Sequence, residues 1–218
     1  MNNPALIAAG NHKGGCGKTT SLCNLGRRAQ QRGLKTLVVD TDQQADAFAH
    51  FSGCDDPEQG AAHAWADGCH VVWWPDASSV PAIKGYDLVL WDMPPKVYLP
   101  PALPVTGVIV PVDGPFSMKN AADFIATVKA PCLLVANGLR EGGKAFEATL
   151  KASFGKLPPH VMACPIDLLR GGSIRRCADA GMAAWEDMYA GQAGARVLQW
   201  CDWVLDEGLP WFRRGKAA

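Results

Sequence analysis

Apolar residues fall along this 218-residue chain in short unbroken runs separated by amphipathic stretches. The runs are Leu6–Ala9, Thr36–Val39, His70–Trp73, Leu88–Trp91, Gly107–Val110, Cys132–Ala136 and His160–Ala163. Continuous rather than alternating hydrophobicity suits strands buried on both faces. Between the runs, Lys18–Arg32, Ala45–His50, Ser117–Lys129, Gly143–Phe154 and Ser173–Ala180 are predicted helices. The alternating order predicts an α/β fold: one mostly parallel central sheet flanked by helices on both faces. Near the end, Val197, Leu198, Cys201, Val204 and Leu205 make a stripe at helical spacing, flanked by Trp200 and Trp203. That pattern predicts a C-terminal helix, about 192–206, docked on the sheet. Segments 53–60 and 93–104 are rich in turn residues, and Pro94, Pro95, Pro100, Pro101 and Pro104 bar a regular helix from the second. Pro210 and Gly215 leave little room for a helix in the tail 208–218.

With no internal repeat or linker, residues 1–218 read as a single domain, long enough for a sizeable core. Hydrophobic content of 48% and charged content of 19% suit a globular protein. No apolar run spans a bilayer and no basic segment leads a signal core, so a cytoplasmic location is expected. Formal net charge is zero, which excludes a strongly basic domain; nucleic-acid binding would need a local patch or one assembled by oligomerisation. The eight cysteines contain no Cys-x-x-Cys pair and read as reduced thiols, several of them buried.

The chemistry is concentrated at strand ends. Asn11-His12-Lys13-Gly14-Gly15-Cys16-Gly17-Lys18-Thr19-Thr20 lies between the first predicted strand and helix, the setting a phosphate-binding loop requires. Gly14, Gly15 and Gly17 let the backbone close on an anion, and the following helix offers its positive end. Lys18 supplies charge for the outer phosphates, and the Thr19 hydroxyl suits Mg²⁺. The usual pattern wants glycine at position 12; here it is His12, and Lys13 is gained. Asp40 and Asp42 leave the end of the second strand, where ligands sit in open α/β sheets. Asp92 ends the strand after Tyr86, a Walker B arrangement in which the carboxylate serves Mg²⁺. One of these acids could instead cap the next helix.

Together these segments resemble the deviant Walker A ATPases of the ParA/MinD family. Lys13 to Thr20 is similar to that family's loop, Val38 to Gln44 to its Asp-x-Asp-Pro-Gln motif with Gln43 in place of proline, and Asp92-Met93-Pro94-Pro95 to its Asp-x-Pro-Pro end. Val110-Pro111-Val112 and Phe116-Ser117-Met118 resemble the strand and helix start that follow. Only ten residues precede Asn11, so no helix-turn-helix extension is expected, and the chain looks most like the small plasmid-partition ParA proteins. The resemblance implies ATP and ADP as ligands, Mg²⁺, and slow, partner-stimulated hydrolysis. It implies that Lys13 crosses a homodimer to the partner's nucleotide, that Asp42 orients the attacking water, and that Thr19, Asp40 and Asp92 surround the metal. Gly14, Gly15, Cys16, Gly17, Lys18, Thr19 and Thr20 would hold phosphates, and Asn137 and Pro165 would approach adenine. The ATP-bound dimer would bind DNA non-specifically, associating with the nucleoid and partitioning plasmid or chromosomal DNA. Arg170, Arg175, Arg176, Arg213 and Arg214, with Lys216, are the candidate contacts. A ParB-like adaptor would stimulate hydrolysis. The alternatives are a non-DNA cargo, such as a chemoreceptor array, carboxysome or secretion complex, and MinD-like membrane binding, which the tail makes the weaker expectation.

Overall fold

The computed structural model describes residues 3–75, 79–100, 103–138, 142–168 and 172–215. One eight-stranded sheet organises them: β1 Ala5–Ala9, β2 Thr36–Asp40, β3 Ala62–Ala66, β4 Cys69–Trp73, β5 Leu88–Asp92, β6 Gly107–Val112, β7 Cys132–Ala136 and β8 Val161–Ala163. Their spatial order is β3-β4-β2-β5-β1-β6-β7-β8, parallel throughout except for the β3–β4 pair. The helices are α1 Lys18–Gln31, α2 Asp46–Ser52, α3 Pro115–Ile125, α4 Gly142–Phe154, α5 Gly172–Asp179, α6 Gly191–Trp203 and α7 Leu209–Gly215, with a π-helical turn Val204–Gly208 joining the last two.

The unbroken apolar runs do what such runs must in a central strand. In β1, Ala5, Ile7 and Ala9 enter one core layer and Leu6 and Ala8 the other. Leu22 and Leu25 of α1, Phe48 and Phe51 of α2, Trp200 of α6 and Phe212 of α7 fill the first layer. Met118 and Phe124 of α3 and Phe146 of α4 fill the second. Helices therefore cover both faces.

Two elements depart from the sequence reading. β3 was not expected, because Ala62-His63-Ala64-Trp65-Ala66 lacks β-branched residues. It forms as an antiparallel edge strand because the Asp67-Gly68 turn, with Gly68 at φ 66°, folds it back on β4. α7 also forms despite Pro210 and Gly215. Pro210 follows closely on the π-helical turn, where the Leu209 N–H bonds the Val204 carbonyl five residues back, so the widened turn carries the helix into the proline, and Phe212 is fully buried on a side where Gly107 leaves room only for hydrogen.

Candidate functional site

The register sets the chemistry side by side. Ala9, from which the phosphate loop departs, pairs with Asp92, and Asp92 pairs with Asp40. On the other side of β1, β6 delivers Asp113 just past Val112, and β7 delivers Asn137. The strands on either side of β1 are reached by connections running in opposite directions, the switch point at which open α/β sheets bind ligands.

The loop is anchored at its start. The Asn11 side chain donates to the Pro111 carbonyl (2.8 Å) and the Ser117 carbonyl (3.3 Å), while its oxygen accepts the Lys13 N–H (3.0 Å). His12 packs its ring edge-on against Tyr98 and Phe124, at 5.2 and 5.5 Å between centroids, so the residue that replaces glycine is used for packing. Gly15 and Gly17 take φ of 70° and 98°, values open to glycine without strain. Helix α1 has no side-chain cap and no acid in its first turn. Its first N–H groups and positive end are thus left to an anion.

Both lysines are engaged. Lys18, buried, donates to the Lys13 carbonyl at 3.1 Å. Lys13 Nζ meets both carboxylate oxygens of Asp113, at 2.7 and 2.8 Å. The Asp113 backbone N–H in turn donates to Ser117 Oγ (2.7 Å), fixing the turn that presents the carboxylate. Burial would raise the Asp113 pKa, but the Lys13 ammonium and the Ser117 hydroxyl outweigh it and hold it below the ordinary value.

The two strand-end acids differ. Asp40 accepts the Asp42 N–H (3.0 Å) and the Phe48 N–H (2.9 Å). It thereby caps α2, whose own N-cap residue Ala45 offers no side-chain acceptor. Both oxygens of Asp92 are buried without a hydrogen-bond partner. Desolvation first, and the neighbouring Asp40 charge second, raise the Asp92 pKa; Thr19 and Lys18 draw it partly back. Burial likewise raises Asp40. A buried carboxylate with two unused oxygens next to a hydroxyl is a donor set of hard oxygens and fits Mg²⁺. Asp92 and Thr19 could hold it, with Asp40 contributing the lone pairs that capping leaves over.

Asn137 and Pro165 follow the ends of the neighbouring strands β7 and β8. The Asn137 amide nitrogen donates to the Cys16 carbonyl at 2.7 Å, so it braces the phosphate loop. Pro165 is exposed on the segment after β8. The arginines proposed for DNA separate. Arg170 lies outside the described residues, as does Lys216. Arg175 and Arg176 are exposed on α5, and Arg176 pairs with Asp187 at 3.2 Å. Arg213 borders a pocket with Asn3, Pro4 and Leu88, at the strand ends opposite the phosphate loop, and Arg214 is its neighbour. Among the described residues, Arg175 and Arg176 therefore lie apart from Arg213 and Arg214. Asn11 and Asp113 carry roles that the sequence reading did not assign; the Asn11-x-Lys13 spacing was a readable signal for the first, whereas Asp113 comes near Lys13 only through the β1–β6 pairing.

A groove of about 790 Å³ runs from Thr19 and Thr20 along α1, bounded by α2 and residues 178–181. Across it, His50 Nδ1 meets the Ala178 carbonyl (3.2 Å) and Arg27 donates to the Gly181 carbonyl (2.6 Å). The end of α5 is thus tied to the elements that frame the phosphate site.

The CobQ/CobB/MinD/ParA nucleotide binding domain matches residues 7–177. The chromosome-partitioning ATPase Soj of Thermus thermophilus is 32% identical over 152 residues, a match that spans 56% of this chain and 61% of that protein. In fold, the chain is similar to septum site-determining protein MinD of Pyrococcus horikoshii in complex with Mg-ADP, with a TM-score of 0.69, 18% identity, and 93% and 98% of the two chains covered. The ATP complex of a Cyanothece McdA variant superposes with a TM-score of 0.70 at 12% identity, covering 94% and 97%.

Proposed function

The chain belongs to the CobQ/CobB/MinD/ParA nucleotide-binding family; from that premise we propose that it is an ATPase that positions cargo by nucleotide-controlled self-association. One observation carries the reading: Lys13, the residue gained where an ordinary phosphate loop has none, is already paired within its own chain to Asp113. Lys18 already supplies the cation for the phosphates of its own loop, and Lys13 is held apart from it by Asp113. Lys13 can serve those of a second copy placed face to face, once Asp113 is exchanged for phosphate oxygens, where added positive charge offsets charge that grows in phosphoryl transfer.

Gly14 to Gly17 would cradle the phosphates, Lys18 would turn from the Lys13 carbonyl to them, and Asn137 would hold the loop in shape. Bound Mg²⁺, on Thr19 and Asp92, would neutralise phosphate charge. Asp42 would orient the attacking water. The groove between α2 and α5 offers a route from this site to the surface of α5.

The cargo is taken up through an adaptor, and direct DNA binding is the second reading. Arg175 and Arg176 favour the second, since both are exposed at the α5 surface and two copies would double them. The separation of Arg213 and Arg214 from them counts against a broad basic face. Burial of Phe212 counts against α7 as a lipid anchor.

Sedimentation with Mg·ATP and Mg·ADP tests the core of this. The ATP form should be dimeric and the ADP form monomeric, while Lys13→Ala should bind nucleotide and stay monomeric in both. The same oligomer in both states would sink the proposal. Retardation of duplex DNA by the ATP form alone would favour partition of DNA, and co-sedimentation with anionic vesicles a MinD-like role. Absence of both leaves a protein cargo.

A further inference from the structure

The segment that carries Asp42 is held by the tandem tryptophans at the end of β4. Trp73 pairs in register with Asp40, and the Trp74 backbone N–H donates to the Asp40 carbonyl at 2.7 Å. The Trp73 indole Nε1–H reaches past that ladder and donates to the Asp42 carbonyl at 2.9 Å. The other hydrogen bonds at Asp42 are local. Its N–H goes to Asp40 Oδ1 (3.0 Å), its Oδ1 accepts the Gln44 N–H (3.1 Å), and its carbonyl also accepts the Ala45 N–H (3.2 Å). Among the described residues the indole is therefore the hydrogen-bond partner of Asp42 from a distant part of the chain.

This loop needs holding. Ala45 sits at φ 54°, a left-handed conformation that a residue with a Cβ adopts at a cost. Turns closed only by neighbours three residues away open readily. The indole ties this one to a β-strand whose ring is itself packed against the core beside α2. With one carboxylate oxygen spent on the Gln44 N–H, the direction of the other follows the Asp42 backbone, and the indole sets that backbone.

Resting on the reading of Asp42 as the group that orients water, we propose that Trp73 is a positioning residue for Asp42. It touches no reacting atom. It keeps the carboxylate aimed while the neighbouring strand ends bind phosphate and metal.

The test is Trp73→Phe, which keeps an aromatic ring in the core and removes the donor. The Asp42 carbonyl retains the Ala45 N–H, so no buried acceptor is orphaned. In ligand-free protein, amide hydrogen exchange over residues 42–46 should quicken by about fivefold, the loss of one ordinary hydrogen bond, with β2 and β5 unchanged. The single-turnover rate of Mg·ATP hydrolysis should fall by about tenfold, with the steady-state KM within about twofold of the parent. In an Asp42→Asn background the same substitution should cost nothing more, because its effect passes through that carboxylate. Trp73→Tyr, bulkier and without a donor at this place, should behave alike and stands in if the phenylalanine variant folds poorly. Unchanged exchange over 42–46, or an equal loss of rate in both backgrounds, overturns the positioning role. Full turnover by Asp42→Asn overturns instead the reading beneath it.

Discussion

At the scale of residues, the site is a set of groups already spoken for. Lys13 is satisfied by Asp113, Lys18 by a loop carbonyl and Asp40 by two N–H groups, whereas both oxygens of Asp92 lack hydrogen-bond partners. Ligand binding must therefore exchange partners. Lys13 Nζ contacts both Asp113 oxygens and the carboxylate is largely shielded from water, which makes this a charge-assisted hydrogen bond stronger than a neutral one. Asp113→Asn should loosen Lys13 and tighten self-association in Mg·ATP by about tenfold, the equivalent of ~1.4 kcal/mol, read from the concentration dependence of sedimentation. A weaker dimer would mean that Asp113 presents Lys13 to the partner rather than restraining it. Lys13 was legible as unusual because the glycine spacing around it is so specific. Asp113 was not, since 100 residues separate the two and one strand pairing joins them.

At the scale of elements, strands could be read where both faces are buried and were missed where neither is. β1, β2, β5, β6 and β7 announced themselves as apolar runs, whereas β3, with three of its five residues exposed, has no such pattern. α7 shows the same limit from the other side. Its local sequence argues against a helix, and tertiary packing overrides it through one aromatic ring. Phe212 fills the space above Gly107, so Phe212→Ala should cost about 3–5 kcal/mol in urea unfolding while leaving nucleotide affinity unchanged. A loss below about 1 kcal/mol would show that α7 is a passive appendage.

At the scale of the whole molecule, the buried acids couple folding to pH. In the unfolded chain Asp40 and Asp92 titrate near 3.8; folded, they are raised to about 6 and about 8 by burial first and, for Asp92, by mutual repulsion next. The folded state then binds protons that the unfolded state has released. This contribution is complete below the unfolded value and is lost as pH rises through the folded ones. His50 acts oppositely: burial lowers it from 6.5 to about 4, so it favours folding increasingly as pH rises between those values and adds nothing above. Above pH 6.5 the Asp92 effect therefore outweighs the other two. Stability of the ligand-free protein should fall by about 1–2 kcal/mol between pH 6.5 and 8, and Asp92→Asn or saturating Mg·ADP should flatten the slope. A flat profile for the parent protein would mean that Asp92 is solvated.

The division between what one dimension and three dimensions determine follows from the range of the forces. The loop Lys13 to Thr20, the acids at strand ends and the α/β order are local consequences of glycine spacing and hydrophobic period, and the sequence by itself determined them. The tertiary structure decided which of those groups meet. It set Asp92 between Ala9 and Asp40, closed Lys13 on Asp113, turned Asn137 to the Cys16 carbonyl and hung Asp42 from Trp73. It also put Arg213 at the end of the sheet opposite the phosphate loop, apart from Arg175 and Arg176 on α5. Each of these depends on strand order and register, which arise from burying both faces of one sheet at once, and no short stretch of the chain carries that information.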